Sequence, residues 1–149
     1  MIREATMKDV DAILKLVNAN AKKGLMLMKS PYAVYVQICN FLVYEEKGKI
    51  LGCARLAIAW NDLAEVASLA VDSRQRGKGI GRKLVEALEE KAKKLHIKRL
   101  FSLSYQVGFF TKCGYREIDR NDLPHKVFGE CLNCPKVNCC DEHAFIKDI

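Results

Sequence analysis

Arg76-Gly77-Lys78-Gly79-Ile80-Gly81 carries the densest chemistry in the chain. It follows an apolar run, Glu65 to Val71, and a loop, Asp72 to Gln75. It opens a helix-patterned stretch from Arg82 to about Leu95. Alternating glycines let a backbone approach an anion closely and adopt positive φ. A helix starting there offers N–H groups with no internal partner, and its dipole adds partial positive charge. Arg76, Lys78, Arg82 and Lys83 supply full charges around the turn. Together these features predict a phosphate cradle. The spacing is neither G-x-x-x-x-G-K-[ST] nor G-x-G-x-x-G, which excludes a P-loop and a dinucleotide fingerprint. The plain alternative is a glycine-rich turn closing an ordinary strand–helix unit.

The elements that must position this turn follow from periodicity. Met1 to Ala5 reads as a strand. Thr6 is placed to cap a helix, with Asp9 three residues on. Val10, Ile13, Leu14 and Val17 share one helical face, and Gly24 ends it. Pro31 starts a second helix, to about Cys39. Phe41 to Glu46 and Ile50 to Trp60 read as strands around Lys47-Gly48. The longer one is apolar on both faces and therefore central. In the helix after the glycine turn, Leu84, Val85, Leu88, Ala92 and Leu95 form the predicted buried stripe, with Glu86, Glu89, Glu90 and Lys93 outside. Leu100, Phe101 and Leu103 read as a strand. Val107 to Cys113 is a short helix ended by Gly114, Tyr115 to Ile118 a further strand, and Ala144 to Ile146 a candidate last one. The order βααβββαβαβ, with a cysteine-rich insertion at about 129–143, predicts an α/β (α+β) single domain: a mixed central sheet flanked by helices.

The 149 residues suit one domain with a sizeable core. A hydrophobic fraction of 50% excludes a disordered chain. No apolar run approaches the ~20 residues of a membrane span, and no signal peptide is visible at the N-terminus. The expectation is a cytosolic protein, no membrane partner, and mostly reduced thiols among its seven cysteines. The net charge of +7 suits nucleic acid or small polyanions. The lysines are spread along the chain rather than interleaved with aromatics, which disfavours nucleic acid.

Arg76, Gly79 and Gly81 in the pattern R-x-x-G-x-G resemble the acetyl-coenzyme A signature of the GNAT acetyltransferases, and the element order is also that of this fold. The resemblance implies that the amides of Gly77, Lys78, Gly79, Ile80, Gly81 and Arg82 hold the coenzyme's pyrophosphate with Arg76. The backbone at Leu69, Ala70 and Val71 would meet the pantetheine and thioester, and Phe110 would lie against the coenzyme. Glu65, eleven residues before Arg76, stands where histone-type members carry a catalytic glutamate. A carboxylate on a largely buried strand is expected to have a raised pKa, which suits a base. The family pattern F-Y-x-K-x-G-F is met by Phe109-Phe110-Thr111-Lys112-Cys113-Gly114-Tyr115, so Phe110 replaces the usual tyrosine acid. Tyr105 is the substitute donor to the leaving thiolate, and solvent the simpler one.

A closer resemblance, to short single-domain N-acetylglutamate synthases, covers most of the chain. It is carried by Lys23 to Ser30, Gly52-Cys53-Ala54, Leu63-Ala64-Glu65, Leu103-Ser104-Tyr105-Gln106, Leu123 to Phe128 and Glu130 to Lys136. It implies acetyl transfer from acetyl-CoA to the amine of L-glutamate, in arginine biosynthesis. Lys29, Gln106 and Lys126 are the expected groups for the two carboxylates. A homodimer is compatible with the sequence, which does not define oligomeric state. Cys39, Cys53 and Cys113 are expected to be small core residues. Cys131, Cys134 and Cys140 make a candidate zinc site, of which the Cys-x-x-Cys half is regular and the rest is not. Two other readings stay open. One is a GNAT enzyme for another amine: an amino acid, a polyamine or a protein N-terminus. The other is a non-catalytic, zinc-stabilised basic module that binds nucleic acid.

Overall fold

The computed structural model describes residues 1–24, 26, 28–123 and 142–149. Seven strands form one sheet: β1 (Ile2–Glu4), β2 (Phe41–Glu46), β3 (Lys49–Trp60), β4 (Leu63–Val71), β5 (Arg99–Ser104), β6 (Arg116–Ile118) and β7 (His143–Asp148), in the order β1-β2-β3-β4-β5-β7-β6. Four helices accompany it: α1 (Val10–Lys22), α2 (Pro31–Gln37), α3 (Ile80–Lys94) and α4 (Val107–Lys112). All neighbouring strands are antiparallel except β4 and β5. That single parallel pair follows from α3, which carries the chain from the end of β4 back to the start of β5.

The two faces of the sheet are covered by different helices. Ala54, Leu56, Ala64 and Val66 point to one face, where Leu84, Val85, Leu88 and Ala92 of α3 pack with Phe110 and Phe145. Val43, Cys53 and Ala70 point to the other, under Val10, Ile13 and Val17 of α1 and Val34 of α2. Alternation along β3 and β4 decides the partition, because successive side chains on a strand face opposite ways. A third cluster, around Leu63, Phe101 and Ile146, closes the β5–β7 side.

Two members of the predicted α3 pattern are corrected. Leu95 is exposed, because the helix stops at Lys94, His96 takes a positive φ of 61°, and Ile97 fills the core position instead. Glu89 is buried rather than outside: Lys147 of β7 reaches both of its carboxylate oxygens at 3.0 Å and also donates to the Cys113 carbonyl. Among the core thiols, Cys53 is fully buried and Cys113 partly so, but Cys39 is exposed, on the 3-10 turn between α2 and β2.

The expected cap at Thr6 is present. The Asp9 carboxylate accepts the Thr6 backbone N–H at 2.8 Å and receives both terminal nitrogens of Arg3 at 2.8 and 2.9 Å. Arg3 also meets Glu45, so one guanidinium ties β1 to β2 and to the entry of α1. The Arg3 hydrogen bonds, helped by the Thr6 N–H, hold the Asp9 carboxyl below the usual carboxylate range despite its burial. A depressed carboxylate pKa contributes stability that is fully present above the unfolded value of about 3.9 and is lost as pH falls through the folded value. Asp9→Ala is therefore expected to cost about 2–3 kcal/mol at pH 7. In urea denaturation, the gap between mutant and wild type should close as pH is taken well below about 3.9.

Candidate active site

Sheet order alone would make β4 fully paired, but it is not. Its parallel pairing with β5 covers Leu63, Ala64 and Glu65, opposite Arg99, Leu100 and Phe101. Beyond Glu65 the ladder to β5 ends, although β4 runs on to Val71 and β5 to Ser104. The Ser102 hydroxyl bridges the start of the gap, donating to the Val66 carbonyl at 3.1 Å. On the other side of β4 the register slips: Cys53 faces Ala70 while Arg55 faces Ala67. One extra residue is thus accommodated in β4, and Ser68 takes φ of 51° there. A bulge of this kind bends its strand and re-aims the residues beyond it. The Cys53 thiol lies 3.5 Å from the Ser68 carbonyl, placed to donate to it. Burial pushes that thiol up to about 12, so it keeps its proton.

The gap opens into a cleft of about 460 Å³. At one end it meets the start of α3. Gly79, the residue before the helix, has φ of 84°, and Gly77 has φ of 81°. A Cβ on either would meet no protein atom within 4 Å, so both look into open space. Gly81 answers a different constraint: a Cβ there would lie 3.0 Å from the Phe109 ring. Arg76 lines the cleft and is held by Asn20 of α1, whose amide oxygen accepts from its Nη2 at 2.7 Å. Arg82 lines it too, paired with Glu86 one turn on. The open backbone of Gly77 and Gly79, the start of α3 and two guanidiniums fit a pyrophosphate. The long open edge of β4 fits an extended amide-bearing chain, which would replace the missing strand partner.

At the other end, Glu65, Tyr105, Gln106 and Lys29 line the same cleft. Glu65 is half-buried where β4 and β5 part. Lys29 stands in the connection between α1 and α2, and its backbone is clamped by Asn18: the side-chain oxygen accepts its N–H at 3.0 Å, and the side-chain nitrogen donates to its carbonyl at 3.2 Å. Leu69, Val71, Ile80 and Phe110 also reach the cleft, Ile80 and Phe110 mainly as core residues beneath it. Two expected coenzyme residues do not line it. Ala70 points into the core under α1, and Lys78 turns to the side chain of Gln75 at 2.9 Å. Both therefore contribute backbone at most. Lys126, Cys131, Cys134 and Cys140 lie outside the described residues; among those described, no group of three or more metal-binding side chains comes together.

Sequence reading missed four residues here. Arg55 sits on the cleft wall, 3% exposed, and its signal was a single charge in the otherwise apolar run from Leu51 to Ile58. Asn18 and Asn20 are asparagines late in an amphipathic helix, where their polar side chains need partners. Ser68 gave no signal, because bulges leave no mark in an apolar strand.

Residues 24–115 match the acetyltransferase (GNAT) family, and the chain belongs to it. An uncharacterized N-acetyltransferase of Chlorobaculum tepidum is 38% identical over 99% of this chain and 96% of its own length. An amino-acid acetyltransferase of Mycobacterium tuberculosis is 35% identical over 87% of this chain and 76% of its own. Among solved structures, N-acetylglutamate synthase of Neisseria gonorrhoeae, complexed with coenzyme A and N-acetyl-glutamate, superposes with a TM-score of 0.89 at 27% identity. That match covers 99% of this chain but 34% of the gonococcal one, so the chain spans about a third of that synthase.

Removing the cradle's charge and filling its space should give separable effects. Arg76→Ala is expected to raise the KM for acetyl-CoA about tenfold, less at high salt, since charge-assisted hydrogen bonds contribute roughly 1.5–3 kcal/mol. Gly79→Val should raise it further. The branched side chain would enter the open space, and its positive φ costs on the order of 1–2 kcal/mol in a β-carbon residue. Steady-state kinetics with varied acetyl-CoA, alongside thermal melting, distinguishes the two.

Proposed function

We propose that this chain transfers the acetyl group of acetyl-CoA to the α-amine of L-glutamate, the N-acetylglutamate synthase reaction of arginine biosynthesis. One observation carries the reading. A single cleft runs from the start of α3, along the open edge of β4, to a carboxylate and a lysine at its far end. The gonococcal synthase, similar over nearly the whole of this chain, is known in complex with coenzyme A and N-acetyl-glutamate, which supports both ligands.

Bound acetyl-CoA supplies a thioester, an acyl group open to a neutral amine. The protein's task is to make the amine neutral, hold it, and receive the charge that develops. Amino groups are mostly protonated near neutral pH. Glu65, at the point where the strands part, takes that proton. It stands on β4 three residues before the bulge at Ser68. Backbone N–H groups from Leu69 to Val71 are the donors for the carbonyl oxygen as it becomes anionic. The new N–C bond forms as the C–S bond breaks, and the phenol of Tyr105 or solvent returns a proton to the sulfur. Lys29, its backbone fixed by Asn18, attracts the acceptor's α-carboxylate. Gln106, exposed at the cleft mouth, offers a neutral donor beside it.

Thiol release from acetyl-CoA across a panel of amino acids tests the acceptor. L-glutamate should be used well above aspartate, glutamine and lysine. Equal turnover of lysine or a polyamine would reassign the substrate. For the base, Glu65→Gln should lower kcat by about 10²–10⁴-fold at pH 7 while leaving acetyl-CoA binding nearly intact. The defect should shrink as pH rises and free amine accumulates. A mutant turning over at the wild-type rate at pH 7 would remove Glu65 from the chemistry.

A further inference from the structure

A dicarboxylic acceptor presents two anionic groups, and at the acceptor end Arg55 lines the cleft as well as Lys29. Arg55 lies in the middle of β3, between fully buried Ala54 and Leu56, and is itself 3% exposed. It nevertheless forms part of the cleft wall. The register places it opposite Ala67, with Ala57 opposite Glu65. Directly opposed residues share a face of the sheet, as do residues two apart on one strand. Arg55 and Glu65 are therefore diagonal neighbours on the same face, with Cα atoms roughly 7–8 Å apart. It is the face covered by α1 and α2, because Cys53, two residues before Arg55, packs there. Lys29, in the connection between those two helices, approaches the cleft from that side. Among the described residues, Glu65 and Glu142, Lys29 at the rim and Arg55 on the floor thus bound the acceptor end.

The guanidinium stays charged at any accessible pH, and its planar fork is suited to two-point recognition of a carboxylate. We infer that Arg55 binds the side-chain carboxylate of the acceptor and so sets the preference for a dicarboxylic amino acid. This rests on the glutamate reading and adds to it the residue that recognises the distal group. The α-carboxylate is left to Lys29, and the amine falls between them, beside Glu65.

Steady-state kinetics on L-glutamate and L-glutamine, at saturating acetyl-CoA, tests this with wild type, Arg55→Gln and Arg55→Lys. Arg55→Gln should lower kcat/KM for glutamate about 10²-fold, mainly through KM, and change glutamine less than about threefold. The KM for acetyl-CoA should stay as it is. Arg55→Lys should keep the preference for glutamate, with its KM raised about tenfold because charge remains but the fork is lost. A wild type that prefers glutamate, with the same preference in Arg55→Gln, would overturn this inference alone. Equal losses on glutamate and glutamine in Arg55→Gln would also overturn it. A wild type that uses glutamine as readily as glutamate would overturn it together with the glutamate reading. Circular dichroism melts check that each variant folds. If Arg55→Gln does not, Arg55→Lys decides: an unchanged KM for glutamate there contradicts the assignment.

Discussion

The site depends on β4 being paired along one edge and only partly along the other. β3 holds it from Leu63 to Val71, while β5 leaves it after Glu65. Backbone N–H and C=O groups that lose a strand partner must find another, and a ligand with its own amides can supply one. The departure is built in by three features. The bulge at Ser68 breaks the regular strand beside the gap, at a positive φ that costs on the order of 1–2 kcal/mol in a residue with a β-carbon. The Cys53 thiol beneath supports the displaced carbonyl. The Ser102 hydroxyl spans the gap at its narrow end, where a backbone bond is no longer available.

In the proposed reaction the open edge also separates the reactants. Arg76 and Arg82 line the cleft at the glycine turn. Glu65, Arg55 and Lys29 line its other end. A polyanionic coenzyme and an acidic acceptor would compete if they shared one set of cations. Separate sets at the two ends of one cleft avoid this. α1 contributes to both: Asn20 holds Arg76 and Asn18 holds the backbone of Lys29, two residues apart on the same helix.

Most of the architecture was legible because periodicity reports burial directly. The pattern of β2 predicts its observed bounds, and Pro31 marks the start of α2, where the Ser30 hydroxyl accepts the Ala33 N–H. The glycine turn was legible because three glycines and four cations in a short span have few other uses. Failures came where tertiary contacts override pattern. Glu89 reads as surface until Lys147 arrives from β7, 58 residues away. Leu95 reads as core until the helix ends a residue early. Arg55 was lost because an apolar run on both faces reads as a central strand, and one charge inside it does not alter that reading. The bulge had no sequence trace at all.

In the proposed reaction one open strand edge seats two ligands at the two ends of one cleft. Amide chemical shifts, followed while coenzyme A and then L-glutamate are added, test it most directly. Coenzyme A should move the amides from Leu69 to Val71 and from Gly77 to Arg82, and leave that of Lys29 largely in place. Glutamate added afterwards should move Lys29, Arg55 and Glu65 without reversing the first set. If glutamate displaces coenzyme A, or if both perturb the same amides, the division of the cleft between its two ends is contradicted.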